Sequence, residues 1–205
     1  MTAEIIVETT AGRIRGTSDR GVEIFKGIPY AVPPLGDLRF RPPRRPEPWA
    51  GVRDALEYGN MAVQSQNVFA LPDDLLRLFT LAGKQKLDED CLYLNVWTSG
   101  REGSERPVLF WCHGGAFITG SGSSPWSDGA NLCRLDDVVV VSFNHRLGAL
   151  GTCISRTWPA VSSMRASRAC STSWRPSNGC ATTSPGSAVI RTTSPSSANR
   201  AAVRR

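Results

Sequence analysis

From Thr152 to Arg205 the sequence holds no Leu, Phe, Tyr, Lys, Asp, Glu, Gln or His. Those absences exclude a packed core over that stretch. What remains is twelve Ser, eight Ala, eight Arg, seven Thr and four Pro among 54 residues. Such a composition buries too little apolar surface to offset chain entropy, so 152–205 is expected to be a disordered, low-complexity tail. The tail also distorts the charge. Its eight Arg leave sixteen basic residues against eighteen acidic ones in Met1–Gly151, a net of −2 where the whole chain has +6. The pI near 9.3 therefore belongs to the tail and does not argue for a nucleic-acid partner. The tail has no Lys, only two scattered Trp (Trp158 and Trp174) and no binding motif.

Histidine is scarce as well, with two in the chain, and none of the six Cys forms a close Cys-x-x-Cys pair. A zinc site is not expected on that spacing, nor is any other metal or cofactor. Reduced thiols and a cytoplasmic location are the default reading. No stretch approaches a membrane span, and the start, Met1-Thr2-Ala3-Glu4, has neither a basic nor an apolar leader region, so no membrane partner is expected.

Residues 1–151 have a different character. Glu4–Thr9 and Arg13–Gly16 read as a small hairpin around Ala11-Gly12, and Val22–Ile28 as a further β segment. The proline-rich run from Gly27 to Pro43 reads as neither helix nor central strand. Tyr30, Phe40 and Trp49 suggest that it is pinned to the body. Pro72–Leu81 is patterned as a short amphipathic helix opened by proline. Cys91–Trp97 alternates, with Leu92, Leu94 and Val96 on one face and Tyr93, Asn95 and Trp97 on the other. Pro107–Trp111 reads as a buried strand, Ser127–Leu135 as a helix, and Asp137–Phe143 as a strand buried on both faces. Strand, turn, helix, strand is the βαβ pattern of an α/β sheet.

The first of these strands runs into Cys112-His113-Gly114-Gly115-Ala116-Phe117. Paired glycines permit a sharp turn and close approach to backbone N–H groups. Such a turn either simply ends the strand or aims donors at a developing negative charge.

Four ordered blocks carry a resemblance. Phe25-Lys26-Gly27-Ile28-Pro29-Tyr30-Ala31 with Pro33-Pro34-Leu35-Gly36 and Leu38-Arg39-Phe40 is the first, and Glu89-Asp90-Cys91-Leu92-Tyr93-Leu94-Asn95-Val96-Trp97 the second. The third is His113-Gly114-Gly115-Ala116-Phe117 with Gly120-Ser121-Gly122. The fourth is Asn144-His145-Arg146-Leu147-Gly148, in which His145 stands for the usual Tyr. Together they resemble the N-terminal part of type-B carboxylesterases, the family of para-nitrobenzyl esterases and cholinesterases. The resemblance covers Met1–Gly151. It implies an α/β-hydrolase fold, here incomplete and limited to the N-terminal portion of the central sheet, followed by the tail. It implies hydrolysis of small carboxylic esters by an acyl-enzyme mechanism, in which a serine in Gly-x-Ser-x-Gly is completed by a later acid and His. It assigns the backbone N–H groups of Gly114, Gly115 and Ala116 to the oxyanion hole.

The same resemblance gives Glu89 and Asp90 a structural role in salt bridges rather than acid–base work. Cys91 pairs with an upstream Cys in secreted relatives, and Gly59–Gln66 offers none. His113 and His145 precede any nucleophile and read as structural. Trp111, Phe117 and Trp126 are open to either pocket lining or packing.

No Gly-x-Ser-x-Gly occurs in the chain. One choice of synonymous codons for Val189–Arg205, read after dropping two bases, gives Asp-Pro-Asp-Asn-Val-Thr-Ile-Phe-Gly-Glu-Ser-Gly-Gly-Gly-Ala-Lys, a nucleophile segment of the family type. The same shift over Cys170–Val189 gives an amphipathic helix. A single frameshift near Gly151 is the expectation. The chain then lacks nucleophile, triad acid and triad His, leaves an apolar sheet edge open, and is expected to be inactive and poorly soluble. A non-catalytic, cholinesterase-like interaction protein is the alternative. Oligomeric state and the identity of the ester are not legible.

Overall fold

The computed structural model describes residues 3–65, 85–99, 106–152 and 188–192. The expected helix over Pro72–Leu81 lies outside the described residues. One eight-stranded sheet dominates, with a two-stranded ribbon beside it.

Strands β1 (Ala3–Thr9) and β2 (Gly12–Asp19) form the predicted hairpin, paired antiparallel from Ala3↔Ser18 to Thr9↔Gly12. The period-2 pattern explains their burial: Val7 and Ile14 point into the core while Ile6 is exposed. Strand β3 (Val22–Pro29) runs through Gly27 and ends at Pro29, so the proline-rich run does contribute to a strand inside the sheet. A register shift between Phe25 and Ile28 accommodates it. At the shift Gly27 takes φ +67°, and a Cβ there would lie 2.5 Å from the Glu57 carbonyl oxygen. A 3₁₀ turn over Gly36–Leu38 and the short β4 (Val52–Asp54), parallel to β2, follow. Strands β5 (Met61–Ala62) and β6 (Leu87–Asp88) make the separate ribbon.

The second half is the α/β part. Strand β7 (Tyr93–Thr98) is buried on both faces over Asn95–Thr98. It pairs antiparallel with β3 and with β9 (Val139–Phe143). Strand β8 (Val108–Cys112) pairs parallel with β9, and the crossover carries a 3₁₀ turn over Pro125–Ser127 and helix α1 (Ala130–Leu135). The helix is shorter than the expected Ser127–Leu135 because Pro125–Ser127 forms its own 3₁₀ turn ending at Asp128, whose carboxylate accepts the Ala130 N–H at 2.8 Å. A short helix α2 (Gly148–Thr152) follows β9.

Two clusters fill the two faces. Val7, Ile14, Phe25, Ala55, Val96 and Val141 pack on one. Val22, Trp97, Ala130, Cys133, Val138 and Val140 pack on the other, under α1. The neighbours Val96↔Val141 and Trp97↔Val140 fall on opposite faces, as the pleat requires. Unlike β9, β8 is only half-buried along its length, which corrects the expectation of a buried strand. Among the described residues α1 packs on β3, β7 and β9, and β8 lies one strand beyond that cover.

Strand β10 (Ala188–Thr192) pairs antiparallel with β8, from Ala188↔Cys112 to Thr192↔Val108. Five residues of the tail thus form a strand at the edge of the sheet. The physical reason is local: β8 would otherwise present unpaired backbone groups, and Val189-Ile190 is β-branched. The strand order β1-β2-β3-β7-β9-β8-β10, with a parallel β8–β9 pair, is that of a mixed α/β sheet.

Candidate active site

Parallel β8 and β9 leave the sheet at the same end, in register at Cys112↔Phe143. The residues that follow, His113–Thr119 and Asn144–Gly148, therefore lie side by side. The first segment closes as a tight turn, with the N–H groups of Ile118 and Thr119 both donating to the Gly115 carbonyl at 3.0 and 3.1 Å. Gly115 sits at φ +113°, and Ala116 and Phe117 are held at +54° and +60°. Two successive side-chain-bearing residues in the left-handed region cost on the order of 1–3 kcal/mol each, and such strain persists only where surrounding contacts impose it.

Those contacts are visible. The Gln64 side chain uses both ends: Oε1 accepts from Thr119 Oγ1 at 2.6 Å and the Gly120 N–H at 2.8 Å, while Nε2 donates to the carbonyls of Gly120 and Ala62 at 2.9 and 3.1 Å. The Gly148 N–H donates to the Phe117 carbonyl at 2.7 Å. Further along, Asn144 Oδ1 accepts from the Gly122 N–H at 2.8 Å and from Ser121 Oγ at 3.1 Å, and its Nδ2 donates to the Asn60 carbonyl at 2.8 Å. The Gly122 carbonyl collects Ser127 Oγ and Ser142 Oγ, each at 2.6 Å, and Asn95 Nδ2 at 3.3 Å. The turn is thus tied at Gly120–Gly122 to β7, β9 and the segment around Asn60–Gln64.

Inside this clamp, the N–H groups of Gly114, Gly115 and Ala116 donate to no acceptor among the described residues. Gly114 and Ala116 are exposed. Fixed backbone donors with no acceptor among the described residues suit an anion-binding turn.

His113 and His145 stack directly, with ring centroids 4.4 Å apart and planes 5° from parallel. Phe143 and Phe117 tilt against His145 at 6.2 and 6.0 Å. Burial and the neighbouring His145 push His113 down to about 4, and burial lowers His145 too, so both rings are neutral at pH 7. Glu89 and Asp90 lie on the bend before β7 rather than on the strand. Glu89 receives both Arg39 Nε and Nη2, at 2.5 and 2.6 Å, and Asp90 accepts the Tyr93 hydroxyl at 2.9 Å. Their structural reading fits those contacts. Cys91 is buried with a free thiol. Phe117 and Trp126 are 58% and 60% exposed, and Trp111 is half-buried, so none is enclosed in a pocket. A shallow cleft formed by Pro34, Phe40, Val63, Leu147 and Leu150 includes none of Gly114, Gly115 and Ala116. Among the described residues no three His, Cys, Asp or Glu gather as a metal site, and no helix is long and apolar enough to cross a membrane.

Comparison with known proteins decides the family. The family model described as "Carboxylesterase family" matches residues 3–157. The chain belongs to the carboxylesterase family. It is 45% identical over 147 residues to the para-nitrobenzyl esterase of Bacillus subtilis (strain 168), covering 71% of this chain and 28% of that one. It is 44% identical over 146 residues to the phenmedipham hydrolase of Pseudarthrobacter oxydans, covering 71% and 29%. Among solved structures, a thermophilic para-nitrobenzyl esterase superposes with a TM-score of 0.70 at 38% identity, covering 82% of this chain and 34% of that chain. A Geobacillus stearothermophilus carboxylesterase gives 0.59 at 45% identity, covering 71% and 27%. The α/β-hydrolase fold of these esterases is therefore present here in part, and the chain spans under a third of the length of the curated relatives it matches. This carboxylesterase-family match contains every described residue except β10. Gln64, Asn95 and Asn144 were not singled out by sequence reasoning as site residues. The available signal was a polar side chain inside or abutting an apolar strand.

Proposed function

We infer that residues 1–151 form the oxyanion-binding part of a serine carboxylic-ester hydrolase acting on small-molecule esters, with the backbone N–H groups of Gly114, Gly115 and Ala116 as donors. The observation that carries this is the clamped turn whose three N–H groups have no protein acceptor among the described residues. In the reaction, attack on an ester carbonyl moves charge onto its oxygen, and fixed donors stabilise that oxyanion more than the neutral carbonyl. The nucleophilic serine, the triad acid and the triad His are missing from the chain as written, and residues 152–205 are read as a frameshifted product of the missing segment. The described cysteines, Cys91, Cys112 and Cys133, are free thiols, in keeping with a cytoplasmic setting.

The test has two arms. The 205-residue chain is assayed on a short-chain nitrophenyl ester and is expected to show no turnover above buffer; turnover blocked by a serine-directed inhibitor overturns the inactivity. The coding DNA is read across Gly151, and a protein expressed with the frame restored is expected to hydrolyse the same ester. If no one-frame shift restores a Gly-x-Ser-x-Gly segment, or the restored protein is inert, the reading fails.

A further inference from the structure

The two histidines of this chain are its only ones, and the fold brings them into face-to-face contact at the root of the Gly114–Phe117 turn. Each ring is oriented by its own backbone: His113 Nδ1 lies 2.9 Å from the Gly114 carbonyl and His145 Nδ1 lies 3.0 Å from the Arg146 carbonyl. A carbonyl only accepts, so Nδ1 carries the proton in both neutral rings and Nε2 is the bare nitrogen. His113 Nε2 is buried and makes no hydrogen bond among the described residues. The ring is also hemmed in from the far end of the turn, since a Cβ on Gly120 would stand 2.3 Å from His113 Nδ1. His113 is therefore wedged between Gly120 and His145, and the turn closes over that wedge.

A proton on His113 Nε2 would create a buried N–H with no acceptor and set a cation against the face of a second imidazole. Arg146, next to His145 in sequence, has its guanidinium beside Tyr30 and Cys91, and it is not among the groups that shift either ring. Cys112 on β8 flanks His113, its thiol facing the His113 carbonyl. None of the described carboxylates contributes to the shift of either ring. We propose that the stacked His113–His145 pair is a pH-sensitive latch, holding the Gly114–Phe117 turn closed while both rings are neutral and releasing it when they are protonated. The latch concerns the turn itself and stands apart from what its N–H groups bind.

The direction follows from linkage. The closed state binds fewer protons than the released one, whose histidines titrate near the ordinary value of about 6.5. Release is therefore favoured as the pH falls from about 6.5 toward 4, and closure is complete above that window. With both rings lowered, the opening constant rises by more than the tenfold per pH unit that a single proton gives.

Hydrogen exchange of the full chain, corrected for intrinsic rates, reads this at the amides of Ile118, Thr119 and Gly120, with Val96 and Trp97 of β7 as the internal reference. Protection at the turn is expected to fall steeply with acidification while β7 is unchanged. In His145→Phe the stack persists with one titrating ring, and the slope is expected to drop to about tenfold per pH unit. A flat profile in the natural chain, or an unaltered slope in His145→Phe, overturns the latch. Should His145→Phe lose β7 protection, NMR titration of the two imidazoles in the natural chain decides alone. His113 is expected to titrate well below 6.5 and His145 below it, and an ordinary titration of either with the turn still protected overturns the latch.

Discussion

Replacing Asn95 by Ala tests how the turn is tied to the sheet. Asn95 is 4% exposed and sits in β7 with its amide bonded to three elements. Its Oδ1 accepts the Gly27 N–H at the β3 register shift at 3.0 Å, and its Nδ2 donates to Ser142 Oγ on β9 at 3.0 Å and to the Gly122 carbonyl at 3.3 Å. Truncation does not affect these equally. The Gly122 carbonyl keeps Ser127 and Ser142 as donors, and Ser142 keeps its bond to that carbonyl, so those two groups lose little. The half-buried Gly27 N–H loses its acceptor, and leaving such a donor unsatisfied costs about 1–3 kcal/mol. The void left by the carboxamide adds about 1 kcal/mol. The expected loss is about 2–4 kcal/mol, or a fall in Tm of roughly 5–15 °C for a domain of this size. Urea unfolding followed by tryptophan fluorescence measures it. A loss below about 0.5 kcal/mol would refute the reasoning, because it would mean that the Gly27 N–H finds water or another partner. Asn95→Asp sharpens the test. It retains the acceptor for Gly27 but sets a carboxylate against the Gly122 carbonyl. Burial raises the pKa of such a group, so its excess destabilisation over the natural chain at the same pH should be largest at neutral pH and shrink on acidification.

Two further outcomes follow from the same geometry. Gly120→Ala places a methyl 2.3 Å from His113 Nδ1 and 2.4 Å from the Gly114 carbonyl oxygen at a residue with φ +122°, so the turn must shift; exchange at the Thr119 amide should accelerate at least tenfold, and unchanged protection would show that the turn does not depend on close approach there. Burial pushes the Cys91 thiol up to about 12, so thiol reagents at pH 8 should leave it unlabelled in the native chain and label it in denaturant. Rapid native labelling, read by peptide mass spectrometry, would mean that the segment before β7 opens.

Much of the fold was legible because its elements announce themselves locally. The hairpin of β1 and β2, the β8–α1–β9 unit and the doubly buried β9 follow from residue period and turn residues, which act over a few positions. The four motif blocks likewise placed the chain in its family and placed Gly114, Gly115 and Ala116 at a strand end. Other features depended on what lies across the sheet. The proline-rich run enters β3 because a register shift against β7 absorbs it, and β8 is half-buried because α1 covers β3, β7 and β9 instead. The role of Gln64 arises 55 residues from Thr119 in sequence, and that of Asn95 spans 68 residues to Gly27, so no local pattern encodes either. The stacking of His113 on His145 required parallel strands leaving the sheet in register, a fact of topology that residue type alone does not contain. Local chemistry wrote the strands and the glycine turn. Pairing across the sheet decided which polar groups clamp that turn, and which two rings stand at its root.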